Sequence, residues 1–219
     1  MLDGKLKEYL NEKIPEKSPL LKEIENYAKK EYIPIMEPYS MEVLLQLLKL
    51  YKPKTILEIG TAIGYSAIRM AMATDATIVT VEKDPQRIQM ARKFILQSEL
   101  SNRIVLLEGD ALNIVEKVEL YAPYDCLFID AAKVQYKTFF TNYEKYLTER
   151  AVIITDNVLF KGYVYDSGPP NKKLQRIGKK IDEYNQWLLT HPAYDTVILP
   201  VGDGMSVSIG KCKSNGVKK

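Results

Sequence analysis

Cysteine, histidine and tryptophan are scarce in this chain. Its 219 residues include two cysteines (Cys126 and Cys212), one histidine (His191) and one tryptophan. With no CxxC pair and a lone imidazole, the sequence excludes a zinc cluster, a disulfide framework and a Cys/His nucleophile pair, and implies a reducing compartment. No apolar run approaches the ~20 residues that cross a bilayer. The amino-terminal MLDGKLKEYLNEKIPEK carries charge where a signal peptide has its apolar stretch, so a cytoplasmic location with no membrane partner is expected. An excess of one charge is missing as well: 31 Lys and Arg against 28 Asp and Glu leave a net +3. Global charge therefore does not announce a nucleic acid, and only local clustering can. Two phosphate-binding signatures are also absent. Gly60 and Gly64 are separated by three residues with Ala62 in the middle, which fails GxGxxG, and neither GxxxxGKS nor GxxxxGKT occurs.

What is present is the composition of a globular domain, 46% hydrophobic and 27% charged, with 11 Gly and 11 Pro. That is enough to bury a sizeable core, and the length fits a single domain over residues 1–219. Residues 1–31 set seven Lys and seven acids among spaced apolar residues broken by Pro15 and Pro19, a pattern for two amphipathic helices. After a turn from Pro34 to Pro38, Ser40 is a candidate cap for a helix carrying Met41, Leu44, Leu47 and Leu48. Residues 1–52 thus read as amino-terminal helices and 53–211 as the core. From Thr55 the pattern becomes short β-branched runs: Thr55–Gly60, Thr77–Glu82, Arg103–Glu108, Tyr124–Asp130 and Ala151–Asp156. Helix-period segments such as Pro85–Ser98 separate them. Nearly continuous apolar strands alternating with helices predict a doubly wound α/β fold with a parallel sheet. Residues 171–190 predict one more helix. Tyr194–Pro200 and Met205–Lys211, joined only by Val201–Gly204, are too close for a parallel crossover and predict an antiparallel hairpin.

In such a sheet ligands sit beyond the carboxyl ends of the strands. The first run ends in Glu58, Gly60, Gly64, Tyr65 and Ser66, where glycines let the turn approach a ligand closely. The second ends in Glu82, 22 residues beyond Gly60 and suitably spaced to bind ribose hydroxyls. Either feature alone is an ordinary turn or a solvated acid; their relative spacing points to a nucleoside. The third run is followed by Gly109-Asp110, the fourth ends at Asp130, and the fifth at Asp156-Asn157. Asp130, Asp156 and Asn157 bring two carboxylates and an amide oxygen to one crevice, a hard-oxygen set suited to Mg²⁺. Lys133, three residues after Asp130, is able to reach the same place.

LEIGTAIGYSAIRM (57–70), VEKD (81–84), FIDAAKVQY (128–136), TDNVLFKGYV (155–164) and LPVGDGMSVSIGK (199–211) resemble, in order, the motifs of the metal-dependent S-adenosylmethionine O-methyltransferases of the catechol and caffeoyl-CoA type. The resemblance extends over residues 35–211, and within the family it is greatest to the bacterial branch that includes the tRNA 5-hydroxyuridine methyltransferase. It implies a Rossmann-like, seven-stranded sheet with an antiparallel last strand, and a homodimer. It further implies that Glu58, Gly60, Tyr65 and Ser66 surround the methionine part of S-adenosylmethionine, that Glu82 holds its ribose, and that Asp110-Ala111 lie beside its adenine. Met36 resembles the family's methionine near the sulfonium, although the surrounding IPIMEPYS departs from the plant pattern. Asp130 borders the cofactor and, with Asp156 and Asn157, is implied to bind Mg²⁺ or another divalent cation. Lys133 is implied to be the catalytic lysine, acting either as a base or as a stabiliser of the oxyanion.

A metal-bound acceptor needs two adjacent oxygens, which a catechol and 5-hydroxyuridine both offer. Lys172, Lys173, Arg176, Lys179 and Lys180 form an acid-free basic run directly after Gly168-Pro169-Pro170. Such a run is either a solvated helix face or a surface for phosphates. The second reading makes the anticodon loop of tRNA the partner, with Lys161, Lys211, Lys213, Lys218 and Lys219 extending the surface. The expected reaction is then methylation of the wobble 5-hydroxyuridine to 5-methoxyuridine. A small catechol acceptor and a noncatalytic nucleoside-binding module are the alternatives.

Overall fold

The computed structural model describes residues 4–166 and 171–211. Helices α1 (Gly4–Glu12), α2 (Pro19–Lys30) and α3 (Pro38–Tyr51) precede the first strand. Ser18 caps α2 by accepting from the Leu21 backbone N–H at 3.4 Å, and Pro19 occupies the first turn, where no N–H is needed. The start of α3 corrects the expectation for Ser40. Pro38 fixes the first turn with Glu37 at the cap position, so Ser40 lies inside the helix, buried, its hydroxyl without a hydrogen-bond partner.

The alternating part runs β1 (Thr55–Ile59), α4 (Tyr65–Ala73), β2 (Thr77–Glu82), α5 (Pro85–Gln97), β3 (Ile104–Glu108), α6 (Val115–Glu119), β4 (Tyr124–Ile129), α7 (Tyr136–Tyr143) and β5 (Leu147–Asp156). Then follow α8 (Lys172–Leu189) and the hairpin β6 (Tyr194–Leu199) and β7 (Met205–Gly210). The seven strands are ordered β3-β2-β1-β4-β5-β7-β6. β1 to β5 are parallel, and β7 is antiparallel to both β5 and β6, as the short Val201–Gly204 connection requires. β5 begins at Leu147, four residues before the apolar run that marks it; its first residues are held through Asp125, which accepts from Thr148 at 3.3 Å.

Strand residues alternate between two cores. Ile56, Phe128 and Ile154 pack with Ile24, Met41, Leu44 and Phe94 from α2, α3 and α5 on one face. Leu57, Leu127 and Ile153 pack with Phe140, Ile181, Tyr184 and Leu188 from α7 and α8 on the other. Burial on both faces explains the unbroken apolar strands. Connections from β1 lead to β2 on one side while β4 lies on the other, and this reversal leaves a crevice at the carboxyl ends. Among the described residues no helix is long and apolar enough to cross a membrane.

Candidate active site

The crevice is a cleft of about 620 Å³. Its walls come from the strand ends picked out in the sequence, from Pro34–Glu37 around Met36 between α2 and α3, and from one place that was not picked out, Asp203 between β6 and β7. Met36, Gly60, Tyr65, Ser66, Glu82, Asp110, Ala111, Asp130, Lys133, Asp156 and Asn157 all line it.

At β1 and β2 the protein supplies its own donors. Gly60 has φ +106°, and a Cβ there would stand 2.1 Å from the Asp130 carbonyl oxygen, so only glycine lets this turn cross the end of β4. Glu82 is buried and accepts from three backbone N–H groups: Ala62 at 2.9 Å on Oε2, and Lys83 at 2.8 Å and Asp84 at 2.9 Å on Oε1. Of a carboxylate's roughly four acceptor positions, about one is left for a ligand. Asp110 Oδ1 accepts from the Leu112 N–H at 3.0 Å and Oδ2 from Lys83 Nζ at 3.0 Å; both hold its carboxyl below the usual range. Ala111 is fixed by Tyr143, whose hydroxyl donates to its carbonyl at 2.5 Å.

Glu58 requires a correction. It does not line the cleft but lies fully buried behind it, accepting from Ser66 Oγ and from Thr80 Oγ1 at 2.5 Å. Burial, with the charges of Asp130 and Glu82, pushes its carboxyl up to about 7 against the bonds that lower it. Its influence on the cleft passes through Ser66.

At β4 and β5 the balance is different. Asp156 is buried; Oδ2 accepts from Asn157 Nδ2 at 3.2 Å, while Oδ1 is buried without a hydrogen-bond partner. Burial raises both Asp130 and Asp156, and the charges of Asp130 and Asp203 raise Asp156 further, with Lys133 opposing. Lys133 Nζ donates to Asn157 Oδ1 at 2.5 Å and lies 5.8 Å from the centre of the Phe160 ring. Asn157 has φ +59°, a left-handed turn that asparagine tolerates. Among the described residues no three His, Cys, Asp or Glu side chains cluster as a metal site; the third donor here is an amide oxygen. Two repelling carboxyls, an unpartnered oxygen and an all-oxygen donor set fit a hard divalent cation.

The hairpin turn completes this wall. The Asp203 carbonyl accepts from Leu159 N–H at 2.7 Å and Phe160 N–H at 3.2 Å, and its Oδ1 from Lys161 N–H at 3.2 Å. In the sequence Gly202-Asp203-Gly204 signals only a tight turn, since nothing local indicates where the turn lands.

The basic run lies elsewhere than on the cleft wall. Lys172, Lys173, Arg176, Lys179 and Lys180 are exposed on α8 and none lines the cleft, because Gly178, Ile181, Tyr184 and Leu188 take the buried face. The helix does brace that wall: Asn185 Nδ2 donates to the Val158 carbonyl at 2.8 Å, and Gly178 sits directly against the Tyr163 carbonyl. The cations in the cleft are Lys83, Arg87, Lys133 and Lys161. Lys211 is also displaced from its expected place. It follows β7 at the opposite end of the sheet and contacts the His191 carbonyl at 3.1 Å, so it does not extend a surface at the cleft. Gly168-Pro169-Pro170, Lys213, Lys218 and Lys219 lie outside the described residues.

Residues 11–211 match the family model described as O-methyltransferase. A catechol O-methyltransferase of Niastella koreensis is 32% identical over 185 residues, 80% of this chain and 82% of that protein. The crystal structure of a proposed caffeoyl-CoA O-methyltransferase from Staphylococcus aureus superposes with a TM-score of 0.88 at 34% identity, covering 94% of this chain and 100% of that one. An O-methyltransferase from Bacillus cereus in complex with SAH gives a TM-score of 0.82 at 27% identity, with 94% and 97% covered.

Proposed function

This chain belongs to the O-methyltransferase family and is an S-adenosylmethionine-dependent O-methyltransferase; from that premise we propose that it methylates the 5-hydroxyl of wobble 5-hydroxyuridine in tRNA, giving 5-methoxyuridine. In this reading the donor's methionine part lies on the Gly60 turn against Ser66 and Met36, its ribose on Glu82 and its adenine beside Asp110-Ala111. Asp130, Asp156 and Asn157 would hold a divalent cation, Mg²⁺, which when bound lowers the pKa of an acceptor hydroxyl and fixes its direction. Lys133 Nζ, held at Asn157 Oδ1, takes the acceptor's proton and stays beside the resulting oxyanion. The oxyanion attacks the donor methyl carbon as the carbon–sulfur bond breaks, leaving the methyl ether and S-adenosylhomocysteine. The Phe160 ring lies beside Lys133 Nζ, and the cleft supplies proximity.

The observation that carries the RNA assignment is the exposed basic face of α8, on a helix that braces the cleft wall at Val158 and Tyr163. It gives phosphates a place to bind beside a site that a splayed base enters. Replacing Lys172, Arg176 and Lys179 by Gln should weaken methylation of tRNA lacking the modification, and should lower the log–log salt slope of tRNA binding by about 2–3. Methylation of a free catechol should be unchanged. Equal tRNA turnover and salt slope in the triple variant would reject the RNA acceptor. The relative that is a catechol O-methyltransferase favours a second reading, a small catechol acceptor; turnover of catechol with none of tRNA is the result that selects it.

A further inference from the structure

Tyr65 lines the cleft, yet its hydroxyl is engaged by residues that do not. The hydroxyl donates to Glu25 Oε1 of α2 at 2.5 Å and accepts from Arg69 Nη1 at 3.2 Å. Arg69, buried one helical turn along α4, donates through Nη2 to Glu42 Oε1 of α3 at 2.6 Å. Lys17, just before α2, donates to the same Glu25 oxygen at 2.5 Å. Helix α2 is thus clasped to α4 through the Tyr65 phenol and α3 through the Arg69 guanidinium, and the two groups are bonded to each other. Tyr65 is the first residue of α4, directly after Gly64 with its φ of +88°. It ends the turn proposed to carry the donor's methionine part.

A charge-assisted chain of this kind, buried at Tyr65 and Arg69 and half-buried at Glu25 and Glu42, has few alternative arrangements. We infer that Glu25 and Arg69 are positioning residues for the methyl donor, holding Tyr65 so that docking of α2 and α3 and binding of the S-adenosyl ligand reinforce each other. The link is reciprocal: a ligand that fixes the turn must also fix the helices. Pro34–Glu37, the segment between those helices, forms part of the cleft wall, so the clasp carries the donor's arrival to the wall around Met36.

The inference rests on placing the donor on the β1–α4 turn, and S-adenosylhomocysteine binding without metal or acceptor tests it. Calorimetric titration should show Glu25→Gln and Tyr65→Phe each weakening binding roughly fivefold, because each weakens or removes the charge-assisted bond that holds the Tyr65 ring at the turn. The double variant should lose little more than the weaker single, since both changes open the same clasp. Hydrogen exchange over residues 19–30 should slow on ligand binding in the wild type and not in Glu25→Gln. Wild-type affinity in both folded single variants, or additive losses without any ligand effect on α2, overturns the clasp. Glu82→Ala separates the two levels. Unchanged binding there overturns the donor placement and the clasp together, whereas weakened binding there with wild-type binding in the clasp variants overturns the clasp alone.

Discussion

The two halves of the cleft solve opposite problems. At the ends of β1 and β2, the acids are satisfied from within: Glu82 takes three backbone N–H groups and Glu58 takes two hydroxyls. At the ends of β4 and β5, burial raises the proton affinity of both Asp130 and Asp156, the charge of Asp130 raises that of Asp156 further, and one oxygen of Asp156 is buried without a partner. Backbone donors preorganise the first half, so it presents a finished surface. The second half sets three carboxyls, Asp130, Asp156 and Asp203, beside two lysines, Lys133 and Lys161, and leaves an oxygen of Asp156 without a partner, which favours a cation there. Similar residue types at successive strand ends therefore do different work, and the difference lies in the donors that the surrounding turns provide.

The largest effect expected from this contrast is at Asp156. Asp156→Asn keeps the shape and removes the charge, and turnover should fall by ~10²–10³-fold. The thermal midpoint should hold or rise, because a buried carboxyl whose ionisation is opposed is gone. Excess EDTA should likewise stop wild-type turnover with little change in circular dichroism; full activity in EDTA would remove the cation from the second half. Next is Glu58, whose carboxyl is pushed up to about 7 in the fold against 4.5 for an ordinary glutamate. The folded state then binds a proton that the unfolded chain has lost. Stability is fullest below 4.5 and declines as pH rises towards 7, by about 3 kcal/mol in all. Glu58→Gln should flatten that decline in denaturant titrations between about pH 4.5 and 8; an unchanged slope would place the proton elsewhere.

Glu82→Ala should lose roughly 10- to 100-fold in S-adenosylhomocysteine affinity, and some stability too, since the N–H groups of Ala62, Lys83 and Asp84 lose their acceptor. The smallest effect is at Asp203. Asp203→Ala removes the bond from Lys161 N–H and a charge that acts on Asp156, and should raise the acceptor's KM by roughly two- to fivefold. Donor affinity should stay the same, and a parallel loss of donor binding would mean that the halves are not independent.

Sequence periodicity located most of this architecture because both layers of the sheet are buried, leaving β1 to β5 as apolar runs with an acid at nearly every end. The four-residue Val201–Gly204 link likewise forced an antiparallel hairpin. The signal failed where tertiary contacts override local pattern. Thr148–Arg150 enter β5 without an apolar run, and Ser40 yields the cap position to Glu37 because Pro38 sets the helix start. Glu58 looks like any strand-end acid until Ser66 and Thr80 are seen to enclose it. Asp203 follows Asn157 by 46 residues, and only the antiparallel pairing of β7 with β5 brings it to the cleft. The basic run was visible, but its relation to the cleft depends on which face Gly178 and Tyr184 bury.

That reversed last strand also sets an order on biosynthesis. β5 is flanked by β4 and β7, so while the ribosome is still making the final hairpin, the strand bearing Asp156 has one open edge. Exposed edges invite pairing with other chains, and this one is rich in Val152, Ile153 and Ile154. The wall at the ends of β1 and β2 is complete once α7 has supplied Tyr143 to hold Ala111, but the wall at the ends of β4 and β5 waits for Asp203 in the hairpin turn. The wall proposed for the methyl donor is thus synthesised before the one proposed for the acceptor, and this apolar edge is sealed by the same hairpin that completes the cleft.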